Sequence, residues 1–208
     1  KTNPYEHQRN AFNQSAEKTQ WAYFMEMGTG KTKVTIDNMA YLFLQRKIMA
    51  ALVIAPKSVY TNWESEIETH MPDVIKYKTY KWNIDKPRDY HQLSKLKDLK
   101  IFLINVEALS TKRGFDACVD YLRENKLNFV VLDESTTIKN RSAKRTKNIL
   151  ALQRLSHMRR ILTGSPITKS PLDLYTQCQF LSPELLGFSS YLAFRNRYAE
   201  MTDIPVGS

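Results

Sequence analysis

Cysteine occurs only twice, at Cys118 and Cys178. Two thiols sixty residues apart are too few and too distant to read as a disulfide framework or a zinc site, so a reducing compartment and two buried fillers are expected. Long apolar runs are also missing. Stretches such as ALVIA at 51–55 fall far short of the roughly 20 residues that a membrane-spanning helix needs. No secretory signal opens the chain, and a membrane-embedded protein is excluded on this reading. The four histidines, His7, His70, His91 and His157, share no metal-ligand spacing and are expected at the surface or at helix caps. No repeat or low-complexity tract is found. The most informative absence is local: from Lys139 to Arg160 there is no acid, while eight basic residues are present (Lys139, Arg141, Lys144, Arg145, Lys147, Arg154, Arg159 and Arg160). The chain begins at Lys1 and stops at IPVGS, which suggests an excised domain or a processed product.

A composition of 42% hydrophobic and 25% charged residues over 208 positions is that of a soluble globular protein, expected to be one domain spanning 1–208. Lysine and arginine outnumber acids by 31 to 21. This surplus favours a polyanionic partner, with a solvated helix face as the bland alternative. Apolar runs of strand length alternate with amphipathic segments of helix length, the pattern of a mostly parallel central sheet in a three-layer α/β sandwich. Strands are predicted over 21–25, 51–55, 74–80, 100–104, 129–132 and 160–162. The clearest helices are predicted over 32–46, 58–69, 115–124, 143–152, 171–180 and 190–198. Ser58, Ser142 and Ser170 stand where helix caps are expected, and the polar segment 81–98 carries helical hints only.

The apolar WAYFM runs into EMGTGKT at 26–32, followed by a helical pattern. Strand, glycine turn and helix in that order make a phosphate loop. Backbone amides around Met27, Gly28, Thr29 and Gly30 can close on phosphate oxygens, Lys31 can neutralise the β and γ phosphates, and the Thr32 hydroxyl can ligate magnesium. The usual first glycine of such a loop is replaced by Met25. A second strand ends in VVLDESTTIKN at 130–140, where two adjacent carboxylates follow buried-looking residues and require a cation or polarised water. A parallel sheet brings the ends of its strands to one edge, so Asp133 and Glu134 are expected beside the loop. There Asp133 would hold magnesium through water, and Glu134 would orient and deprotonate the water attacking the γ phosphate.

With these elements in hand, the chain resembles the Swi/Snf-related ATPases of helicase superfamily two, specifically their N-terminal RecA-like lobe, a P-loop NTPase fold. PYEHQ (4–8) resembles the element whose glutamine reads adenine, which would be Gln8. MEMGTGKT resembles motif I, LVIAPKSVYTNWESEI (52–67) motif Ia, INVEAL (104–109) motif Ib, LDESTTIKN (132–140) motif II, and LTGSPI (162–167) motif III. FLSPELLGFSSYLAF (180–194) follows the family pattern at the end. The resemblance implies ATP and Mg2+ as cofactors, double-stranded DNA gripped by its backbone, and a second RecA-like lobe as partner. Lys57 and Lys139, together with Lys144, Arg145 and Lys147, are the candidate DNA contacts.

Two departures from the family pattern matter. The usual histidine of motif II is Thr136 here; its hydroxyl is expected to reach Thr163 or Ser165 of motif III if it couples hydrolysis to the other lobe. The family's arginine fingers, worth about 10³ to 10⁵ in rate, belong to the second lobe, so an isolated lobe would bind ATP and hydrolyse it weakly. The expected function is a DNA-dependent ATPase moving along duplex. The alternatives are a strand-separating helicase, a restriction-enzyme motor, or a nucleotide-switched DNA-binding module without turnover. A small-molecule kinase is disfavoured by motifs Ia and III and by the basic surplus. The compact loops suggest a phage or bacterial origin and hence a cytoplasmic setting, with the nucleus expected if the chain is eukaryotic.

Overall fold

A computed structural model describes residues 1–86, 88–93 and 97–199. Positions 87 and 94–96 of the polar segment 81–98, and the closing 200–208, lie outside that description. Six strands, β1 (Gln20–Phe24), β2 (Ala50–Ala55), β3 (Tyr77–Lys81), β4 (Leu99–Asn105), β5 (Asn128–Asp133) and β6 (Met158–Thr163), form one sheet in the order β1-β6-β5-β2-β4-β3. Every pairing is parallel. A parallel sheet needs cover on both faces, and every residue of β2, β5 and β6 is buried.

Alternation along the strands divides the core in two. Leu52, Ile54, Phe102, Val130 and Leu132 face α5 (Lys112–Glu124), α6 (Lys144–Leu152) and α7 (Leu174–Leu181). Val53, Ile101, Leu103, Phe129 and Val131 face α2 (Lys31–Leu44) and α4 (Asn62–His70). The remaining helices are α1 (Glu6–Ser15), α3 (Lys57–Tyr60) and α8 (Tyr191–Tyr198). The α/β three-layer reading thus holds, with differences at particular elements.

Residues 74–76 are not strand: Ile75 N–H donates to Pro72 O at 3.0 Å in a turn that leaves Val74 exposed, so apolar character there does not signal a strand. The predicted 58–69 helix is two helices, α3 and α4, and Ser58 lies inside the first, whose cap is Pro56. Ser142 is not a cap either; it bonds Asn140 while Ala143 occupies the position before α6. Ser170 does accept from Leu172 N–H, but it opens a 3-10 turn that precedes α7. The helix α1 is absent from the predicted set because it is polar on most of its surface and gives little periodic signal.

Two members of the basic run point inward. Arg160 is fully buried in β6. Its guanidinium donates to Ser15 O at 3.0 Å and Lys18 O at 2.8 Å beyond α1, and to Asn38 Oδ1 at 3.0 Å on α2. Arg159 similarly donates to the carbonyls of Leu181, Gln153 and Ser156. These two are internal staples, so the surface charge of the 139–160 stretch is smaller than its count suggests. Replacing Arg160 by methionine would fill similar volume but leave those oxygens unpaired. At about 1–3 kcal/mol per unsatisfied buried group, partly offset by relieving guanidinium desolvation, a net loss of roughly 2 kcal/mol or more is expected in urea unfolding. An unchanged midpoint would show that the oxygens find other partners.

Candidate functional site: a phosphate loop beside a buried acid

Register pairs Phe24 with Thr163 and Asp133 with Leu162. Because β1, β6 and β5 are neighbours, the loop after β1, the acids after β5 and motif III after β6 emerge side by side at the carboxyl ends of the strands. This edge is where open α/β sheets place their ligands.

The loop 25–30 turns through two left-handed glycines, Gly28 at φ 76° and Gly30 at φ 84°. At Gly30 a side chain is doubly excluded, since an added Cβ would also lie 2.3 Å from Gln8 Nε2. Gln8 holds the loop by donating to Thr29 O at 3.0 Å, while its Oε1 accepts from Tyr5 N–H at 3.0 Å. His7 Nε2 meets the same Thr29 carbonyl at 2.9 Å, a contact with no signal in the sequence. Each polar atom of the Gln8 amide retains one further bonding site, and Gln8 lines a cavity of about 370 Å3 with Phe12, Lys33, Asp37 and Tyr41. Lys31 begins α2, and its ammonium folds back into the loop, donating to Met25 O at 2.9 Å and Glu26 O at 3.0 Å. Met27 is 85% exposed at the loop tip. The Thr32 hydroxyl makes no hydrogen bond among the described residues and stays available to a cation.

Asp133 is 4% exposed at the end of β5. Its Oδ2 accepts from Trp63 Nε1 at 2.9 Å, and its Oδ1 accepts from Glu134 N–H at 2.9 Å. Burial pushes the carboxyl above its ordinary value. The two donated hydrogen bonds oppose that rise, the Glu134 charge adds to it, and the Lys31 ammonium is near enough to pull it down. A buried carboxylate with one lone pair free on each oxygen, within electrostatic reach of the loop lysine, suits a hydrated magnesium ion carried by phosphates. Trp63 is buried at 1% exposure, and its N–H needs an acceptor there, a rule that signals the bond without naming the partner.

Glu134 adopts φ 46°, a left-handed conformation uncommon outside glycine. Its carboxylate lies 3.5 Å from Thr163 Oγ1, which in turn accepts from Ser165 N–H at 3.2 Å. Thr136 does not join this chain: its hydroxyl bonds neither Thr163 nor Ser165. Instead the neighbouring Ser135 donates to Gln177 Oε1 at 2.6 Å. Of the candidate DNA contacts, Lys57 is exposed at the start of α3, and Lys144 and Lys147 are exposed on α6. Lys139 donates to Thr168 Oγ1 at 2.7 Å, and Arg145, half-buried, donates through Nε to Thr137 O at 3.2 Å. Both are thus engaged in internal bonds. Among the described residues no three His, Cys, Asp or Glu side chains form a metal-binding group, and no helix is long and apolar enough to cross a membrane.

The profile of the SNF2-related domain matches residues 15–203. The chain belongs to the SNF2-related domain family. Among curated SNF2 relatives, the chromatin-remodeling ATPase INO80 of Aspergillus oryzae is 33% identical over 181 residues, covering 84% of this chain and 12% of that protein. Protein CHROMATIN REMODELING 24 of Arabidopsis thaliana is 31% identical over 179 residues, covering 83% of this chain and 16% of its own length. Among solved structures, the Sulfolobus solfataricus SWI2/SNF2 ATPase core in complex with dsDNA superposes at a TM-score of 0.74 with 28% identity, over 94% of this chain and 39% of that one. The Sulfolobus solfataricus SWI2/SNF2 ATPase core domain gives a TM-score of 0.69 with 28% identity, over 94% of this chain and 38% of that one. This SNF2-related chain therefore spans a small fraction of its curated relatives and well under half of the archaeal core.

The burial of Asp133 gives the site a pH signature. A carboxyl that ionises at higher pH in the folded than in the unfolded state binds more protons when folded across that interval, so stability falls as pH rises through it. The interval opens near the ordinary aspartate value of about 4. In urea unfolding without nucleotide or magnesium, Asp133→Asn should therefore lose less stability between about pH 4 and 7 than the unmodified protein. Parallel pH curves would mean that burial does not perturb this acid.

Proposed function

We propose that this chain is the ATP-binding lobe of a DNA-dependent ATPase that moves along double-stranded DNA. The carrying observation is the convergence of Lys31, Asp133, Glu134 and Thr163 at one edge of the sheet. In this reading the amides of Met27, Gly28, Thr29 and Gly30 and the Lys31 ammonium receive the phosphates of ATP, while Gln8 reads adenine through its remaining bonding capacity. Thr32 and Asp133 hold magnesium, Asp133 through water. The ion supplies charge neutralisation when bound with the phosphates. Glu134 stands next to Asp133 with its carboxylate in no ion pair among the described residues, as a base for the attacking water requires.

DNA is best met by Lys57, Lys144 and Lys147, which are exposed and form no ion pair among the described residues. Contacts of this kind reach phosphate and carry little sequence information. The Sulfolobus solfataricus core is in complex with double-stranded DNA, which supports the same polyanion here. A second RecA-like lobe, needed to supply arginines and to close over the nucleotide, is part of the proposal, as is the N-terminal position of this lobe. The relatives named for chromatin remodelling are eukaryotic, which supports the nuclear setting over the bacterial or phage one. A strand-separating helicase or restriction-enzyme motor would use the same lobe, and unwinding of a labelled duplex discriminates them. A nucleotide-switched clamp without turnover has one observation in its favour, the absence of a Thr136 bond to motif III.

Lys31→Ala should weaken ATP binding about tenfold or more, the worth of charge-assisted hydrogen bonds, as read by titration with a fluorescent ATP analogue; unchanged affinity refutes the loop assignment. Glu134→Gln should keep binding and abolish turnover, and if DNA-linked function survived that change the clamp reading would replace the motor. Charge reversal of Lys144 and Lys147 together should lower DNA affinity and flatten its dependence on salt by about two released counterions. No change would return that face of α6 to plain solvation.

A further inference from the structure

Motif II and motif III must communicate if the fate of the γ phosphate is to reach the rest of the protein, and Thr136 does not carry that message. A different path lies one residue away. Ser135 is fully buried and donates to Gln177 Oε1 at 2.6 Å. Gln177 sits in α7, also fully buried. Its Nε2 donates to Pro166 O of motif III at 2.8 Å and to Asp173 O, one turn earlier in the chain, at 2.7 Å. The orientation of this amide is fixed by chemistry. Rotated by half a turn, its oxygen would face two carbonyl oxygens, so only the nitrogen can point at Pro166 and Asp173. Both donors of the amide are committed, and its oxygen receives the serine, so the side chain has no slack.

The same loop has a second anchor at the surface. Asp173 Oδ2 accepts from Thr168 N–H at 2.9 Å, Thr168 Oγ1 at 2.7 Å and Lys169 N–H at 2.8 Å, while Lys139 from the tail of motif II donates to Thr168 Oγ1 at 2.7 Å. Residues 164–170 therefore hang between motif II and α7, and the buried members of that suspension are Ser135 and Gln177. Ser135 directly follows Glu134, the residue held at a left-handed φ. A change of backbone at Glu134 would therefore reach the Ser135 hydroxyl, and through the amide it would reach Pro166.

We infer that Gln177 is a positioning residue that links motif II to motif III in this chain, taking the task that a motif II histidine performs in the family. The inference rests on the nucleotide-binding function proposed above. The test uses the intact protein with a non-hydrolysable ATP analogue and magnesium, and compares Ser135→Ala, Gln177→Leu and the double variant with the unmodified protein. Amide hydrogen exchange over 164–170 is one readout; the ratio of DNA-stimulated to basal ATP turnover is the other.

The analogue is expected to slow exchange over 164–170 in the unmodified protein. Each variant should bind the analogue within about twofold of normal yet lose that response, with the stimulation ratio falling by at least about fivefold, the lower end of coupling between sites. The double variant should be no worse than the poorer single one, because both sever one path. Retained protection and stimulation in both variants would overturn the inference, as would losses that add. Ser135→Ala deletes one hydroxyl and remains decisive if Gln177→Leu does not fold. An unmodified protein that fails to bind the analogue overturns the function proposed above and this inference with it, a result distinct from normal binding with indifferent variants.

Discussion

The site depends on parallel pairing of β1, β6 and β5 in that spatial order. Parallel strands end at the same edge, and this order sets the phosphate loop at 25–30, motif III at 162–167 and the acidic pair at 133–134 next to one another although the loop is far from the other two in the chain. No side-chain bond could substitute for that arrangement. A slip of register by one residue at β5 would turn Asp133 to the opposite face. Close packing on both faces of β5 and its neighbour β6 opposes such a slip.

Given that frame, Asp133 poses an electrostatic problem that the fold only half solves. Trp63 and the backbone of Glu134 satisfy two lone pairs, and the Lys31 ammonium relieves part of the burial cost. Under the function proposed above, a divalent cation would make up the remaining deficit and remove the penalty of burying this acid, which would link stability and ligand affinity through one carboxylate.

The strands and the loop were legible because their signals are local. Continuous apolar runs mark doubly covered strands, and GTGKT between a strand and a helix has few other uses. Legibility failed where the determinant was another part of the chain. Val74 and Ile75 look like strand residues, yet a turn anchored on Pro72 claims them. Arg159 and Arg160 look like surface charge in a basic run, yet their alternation within β6 and the free carbonyls near α1 and α7 draw them inside. The Trp63 bond to Asp133 and the Ser135 bond to Gln177 span 70 and 42 residues, and only the folded sheet brings those partners within reach. Gln177 did leave a trace, a large amide on the helix face that otherwise packs inward, whose buried polar atoms had to find partners.

Lys31 brings a last consequence. Its ammonium rests on the carbonyls of Met25 and Glu26, so the loop is closed on an internal cation. Under the function proposed above, an incoming triphosphate would have to win the lysine away from two oxygens, and a departing one would leave behind oxygens ready to take it back. Exchange of spent for fresh nucleotide would thereby be eased, because the lysine would never stand bare between occupants.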